Sequence, residues 1–72
     1  GEVGFLRQMA KESVGFAEQV RWFTSLVSKG DNIRPLKKLL TRLGAAQIEV
    51  VTMNQGQKTS RFIAWRFQEQ KQ

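Results

Sequence analysis

The sequence predicts an α/β fold in the order helix, strand, helix, strand, strand, with a three-stranded mixed sheet whose last strand is central. Three observations predict it. Residues 2–13 and 33–43 carry apolar side chains at helical spacing. Residues 19–27 are rich in β-branched and aromatic types. Two strand-like stretches, 46–53 and 59–67, flank the reversal Asn54-Gln55-Gly56-Gln57.

In the first helix, Phe5, Leu6, Met9 and Ala10 fall on one stripe, with Arg7, Gln8, Lys11 and Glu12 facing away. Gly15 supplies a stop, because glycine accepts the left-handed backbone that ends many helices. QVRWFTSLV, 19–27, keeps no polar alternation, as expected of a strand covered on both faces. Ser28-Lys29-Gly30-Asp31-Asn32 reads as a turn, with Asp31 or Asn32 capping the next helix and Pro35 tolerated in its first turn. There Ile33, Leu36, Leu39, Leu40 and Leu43 form the apolar stripe, and Gly44 is the stop. Lys37, Lys38, Thr41 and Arg42 lie opposite as a solvated face.

In 46–53, Ile48 and Val50 alternate with Gln47 and Glu49, a pattern for one solvated face. In 59–67, Ile63, Trp65 and Phe67 share one face while Phe62 and Ala64 share the other, so both faces are apolar and the strand is central. Trp22 and Trp65, mid-strand among apolar neighbours, read as core. The first strand, its crossover helix and the next strand make a β-α-β unit, right-handed if parallel. Residues 68–72, QEQKQ, read as a polar, disordered tail. Two helices cannot cover so much apolar sheet surface, which marks residues 1–67 as the end of a larger α/β domain.

Composition narrows the chemistry. The 72 residues hold no cysteine and no histidine, so thiolate metal sites and the usual general base near neutral pH are excluded. No membrane-length apolar run or signal-peptide pattern is present, and the expectation is a cytoplasmic protein. Twelve Lys+Arg against six Asp+Glu give a net charge of +6, which favours a polyanionic partner, nucleic acid first. No glycine-rich cofactor loop, P-loop, nucleophile elbow or paired carboxylates can be recognised, so no catalytic residue is assigned.

Three stretches, RWFTSLVSK with IRPLKKLLTRLGA and then MNQGQKTSRFIAWRF, preceded by GE at the start of an amphipathic helix, carry a resemblance. The chain resembles the C-terminal segment of the adenine-N6 methyltransferases of large-subunit (23S) ribosomal RNA (RlmF-type), a family with a eukaryotic relative that methylates small nuclear RNA. The resemblance covers residues 1–67. It implies a Rossmann-like fold of seven strands that uses S-adenosyl-L-methionine (AdoMet), with the last strand antiparallel and inserted between the fifth and sixth. The family's cofactor loop and Asn-Pro-Pro-aromatic motif lie upstream, and neither occurs here. The resemblance therefore implies that AdoMet is bound by a preceding part of the domain, that this segment alone is inactive, and that the partners are ribosomal RNA and that preceding part.

Two groups of site residues follow. Gln55, Gly56, Lys58 and Arg61 form a motif in which glycine lets backbone approach RNA and the two cations meet phosphates. The competing reading is a solvated hairpin tip with Arg61 paired to Glu49. Ser25, Ser28 and Lys29 fall at the end of the first strand, where open α/β sheets place ligands, or are polar groups of a turn. The alternative for the whole chain is a free-standing, basic RNA-binding α/β module without catalysis.

Overall fold

Helix α1 (Glu2–Ser13), strand β1 (Phe23–Val27), helix α2 (Ile33–Leu43) and strands β2 (Gln47–Gln55) and β3 (Lys58–Arg66) follow one another, with 3₁₀ turns at Val14–Phe16 and Gly30–Asn32. The computed structural model describes residues 1–68. The sheet order is β1-β3-β2, so the last strand is central as its two-sided pattern requires. Both ladders are antiparallel. β1 and β2 therefore run the same way without bonding to each other. The three-stranded sheet is thus antiparallel rather than mixed, because β3 stands between the two strands that share a direction and pairs antiparallel with each.

Both helices pack on one face of this sheet. Leu6 and Ala10 of α1, Leu36 and Leu40 of α2, and Val27, Ile63 and Trp65 of the strands form the buried core. α2 ends where glycine allows it: Gly44 has φ +100 and its N–H bonds back to Thr41, while Ala45 N–H reaches Leu40. The other glycine stop fails. After Ser13 the backbone stays right-handed through Val14 and tightens into the 3₁₀ turn, and Gly15 takes no positive φ. The α1 stripe is also rotated from the expected one. Phe5 is 66% exposed, and Ser13 is buried in the row with Leu6 and Ala10.

Trp65 explains Ser13. Its ring is fully buried and stacks on Phe23, its cross-strand partner, with centroids 5.7 Å apart. Its indole N–H donates to Ser13 Oγ at 3.0 Å, and that hydroxyl donates to the Ala10 carbonyl at 2.6 Å. A buried donor is thus satisfied through a helix-end serine. Ser13→Ala is expected to leave the indole N–H unpaired, at a cost of about 1–3 kcal/mol. Chemical denaturation checks this, and an unchanged midpoint would remove the relay from the account.

Trp22, expected mid-strand, precedes β1, which begins at Phe23 rather than at residue 19. It is half-buried and carries the Arg66 guanidinium over its ring, 5.0 Å from the centroid. Asn32 precedes α2 but makes no side-chain cap. Gln68, assigned to the tail, donates its side-chain amide to the Ala17 and Glu18 carbonyls. The rest of that expected tail, 69–72, lies outside the described residues.

Among the described residues the opposite sheet face has no helix over it. Leu26, Phe62 and Val51 stand in one row across the three strands, and Leu26 and Val51 are 55% and 51% exposed. This is the surplus apolar surface that the sequence leads one to expect.

Candidate nucleic-acid interface

β1 pairs with residues 61–65 of β3, whereas β2 pairs with 58–66. The hairpin therefore runs past β1 as a two-stranded ribbon made of 53–55 and 58–60. Gln55 and Lys58 are direct partners, so the loop is only Gly56-Gln57. Gly56 has φ +61 and no non-glycine residue has positive φ, the pattern of a two-residue turn with glycine first. Turn geometry by itself calls for glycine at 56, and a Cβ there would meet open space. Asn54 and Gln55 belong to the strand, where Asn54 Oδ1 accepts from the Thr59 hydroxyl at 2.9 Å. Lys58 is exposed at the ribbon tip.

Arg61 is elsewhere. Successive strand residues alternate faces, so Lys58 shares a face with Ser60 and Phe62, and Arg61 one with Ile63 and Trp65. The two cations are about 10 Å apart along the strand and on opposite sides of the sheet. Arg61 lies opposite Thr52 and Val27, and Glu49 opposite Ala64, so the Arg61–Glu49 pair is not formed. Instead the half-buried Arg61 side chain lies across Gly30: a Cβ at 30 would sit 3.1 Å from Nε and 3.2 Å from Cζ. Gly30 thus makes room for the guanidinium.

The strand-end residues are engaged within the chain. The Glu2 carboxylate accepts from Ser28 N–H at 2.7 Å, Lys29 N–H at 3.2 Å and the Asn32 side-chain amide at 2.5 Å. Ser25 is half-buried, its hydroxyl donating to the Leu26 carbonyl at 3.2 Å. Ser28 and Lys29 act here as turn donors that tie the first turn of α1 to the end of β1. No pattern in the sequence marks Glu2 for this, since its partners lie 26 to 30 residues away.

These donors, the Ser28 backbone N–H foremost, lower the Glu2 pKa from 4.5 to about 2. A lowered pKa stabilises the fold above the unfolded value. The contribution is complete above about pH 4.5 and is lost as pH falls from there towards 2. Glu2→Gln is expected to flatten the stability profile across that window. A Glu2 carboxyl titrating at its ordinary value by NMR would contradict the contact.

No group of three or more His, Cys, Asp or Glu side chains that could hold a metal occurs among the described residues. Among the described residues no helix is long and apolar enough to cross a membrane.

A family model for RNA methyltransferases matches residues 1–69. The chain belongs to that family. Its curated relatives include the ribosomal RNA large subunit methyltransferase F of Desulfotalea psychrophila, 67% identical over 70 residues, covering 97% of this chain and 23% of the relative. The protein of that name from Klebsiella pneumoniae (strain 342) is 61% identical over 67 residues, covering 93% and 22%. The chain spans about a fifth of the length of the curated relatives it matches. Among solved structures, it is similar to the N-terminal domain of human METTL16 in complex with SAH (TM-score 0.89, 25% identity, 96% of this chain and 26% of that one). It is equally similar to the hMettl16 catalytic domain in complex with MAT2A 3'UTR hairpin 1 (TM-score 0.90, 25% identity, 96% and 24%). The two helices and the β1-β3-β2 sheet are thus part of a Rossmann-like methyltransferase fold.

Proposed function

We propose that this chain is the C-terminal segment of a longer cytoplasmic enzyme that uses AdoMet to methylate N6 of an adenine in large-subunit ribosomal RNA. The observation that carries this reading is 56% to 67% identity, across nearly the whole chain, to ribosomal RNA large subunit methyltransferases. A relative solved with SAH supports AdoMet as methyl donor, and one solved with an RNA hairpin supports RNA as substrate. The bare sheet face of Leu26, Phe62 and Val51 favours a larger domain over a free-standing module.

In this reading the preceding part of the domain binds AdoMet and carries the catalytic motif. This segment completes the sheet and grips RNA. An adenine must leave its stack to be methylated, which costs a few kcal/mol, and contacts on the flanking strand offset that cost. Gln55, Gly56 and Lys58 meet RNA at the ribbon tip, which is exposed on every side. Arg61 meets a phosphate from the other face.

The test is RNA binding by the longer enzyme. Phosphate contacts to a single strand each contribute about 0.7 to the slope of log affinity against log salt. Replacing Lys58 and Arg61 together by Ala is expected to weaken binding and flatten the slope by roughly 1 to 1.5, with AdoMet affinity unchanged. An unchanged slope would mean that neither cation meets a phosphate and that the ribbon tip is a plain turn.

A further inference from the structure

Arg61 has company that the hairpin motif does not reveal. Gly30, over which its guanidinium lies, lines two adjoining open grooves on α2. Their remaining walls include Arg34, Lys37, Lys38 and Arg42, all exposed. Among the described residues none of these four has an ion-pair partner, and the one acid on the grooves is Asp31.

This placement works against the helix. Arg34, Lys38 and Arg42 follow one another at i, i+4 and i+8, about 6 Å apart along the axis. Like charges at that spacing destabilise a helix. Arg34 also stands in the first turn, where the helix dipole disfavours a cation. Solubility needs no such row, and a bound polyanion would reverse both penalties. The surface is also available. The apolar face that calls for covering is on the far side of the sheet from the helices, so a partner seated there leaves the outer side of α2 open.

We infer that Arg61, the Gly30 backbone and the basic side of α2 form one continuous track for the sugar-phosphate backbone of RNA, separate from the ribbon tip that carries Lys58. The inference rests on the proposed RNA substrate and adds a second place where that RNA is held. It gives Arg61, which faces away from the tip, its place in the track. The track reads charge and not sequence, so it sets affinity for RNA flanking the target rather than the choice of adenine.

The experiment compares the longer enzyme with its Arg34→Gln/Lys38→Gln/Arg42→Gln variant, using an in vitro transcript of large-subunit ribosomal RNA. Glutamine keeps side-chain length and helix propensity. The expected result is a salt slope flatter by about two, from three lost contacts at roughly 0.7 each. KM for the transcript rises at least several-fold while kcat stays within about twofold. A charge-preserving Lys37→Arg/Lys38→Arg variant keeps the parental slope. Arg61→Gln is expected to be non-additive with the triple substitution and additive with Lys58→Ala, since coupling reports shared contacts. An unchanged slope in the triple variant overturns the track, whether or not its thermal stability changes. A parent that binds the transcript without methylating it overturns the functional reading, and the slopes still decide the track. A parent that does not bind the transcript overturns both.

Discussion

Trp65→Ala is expected to unfold most of this domain. Truncating a buried Trp to Ala costs about 3–5 kcal/mol, and Trp65 is the largest fully buried side chain. The substitution removes the stack on Phe23, which itself meets Phe67 edge-on at 6.0 Å, and the hydrogen bond that the indole donates to Ser13. A chain of this size buries only about 60% of its unfolded surface and has little stability to spare. Loss of the cooperative thermal transition, followed by circular dichroism, is the expected outcome. Trp65→Phe keeps a stacking ring and gives up the indole hydrogen bond, so it should lie between the two. A variant Trp65→Ala melting within a few degrees of the parent would show that the core is organised elsewhere.

The second large effect is an expected silence. Residues 1–72 by themselves should neither bind AdoMet nor transfer its methyl group. The sequence contains no glycine-rich cofactor loop and no Asn-Pro-Pro-aromatic motif, and its only proline is Pro35. The backbone N–H groups at the end of β1, where such folds place ligands, are engaged by Glu2. Isothermal titration should show no heat of binding at micromolar AdoMet. A micromolar dissociation constant would mean that this chain holds a cofactor site of its own.

Much of the architecture was legible in short-range signals. Apolar spacing marked α1 and α2 to within a residue, Gly44 marked a real left-handed stop, and the two-sided pattern of 60–67 put β3 in the middle. What escaped depended on contacts between distant residues. Gly15 looks like Gly44 to any local rule, yet the chain continues into a 3₁₀ turn there. Ser13 reads as a polar helix end until Trp65, 52 residues away, needs an acceptor. Lys58 and Arg61 read as one motif because they are neighbours in sequence. Three residues on a strand reverse the face, and that alone separates them. Arg61 then meets Gly30 because β3 is inserted beside β1, a consequence of topology that no window of residues contains.

The most direct measurement is methyl transfer by the longer enzyme that carries this segment. Purified enzyme is incubated with methyl-labelled AdoMet and large-subunit ribosomal RNA lacking the modification, and the RNA is digested to nucleosides. Label is expected in N6-methyladenosine at one adenine of that RNA, and none when residues 1–67 are deleted. Label in a different nucleoside, or none in large-subunit RNA while another RNA is methylated, would contradict it.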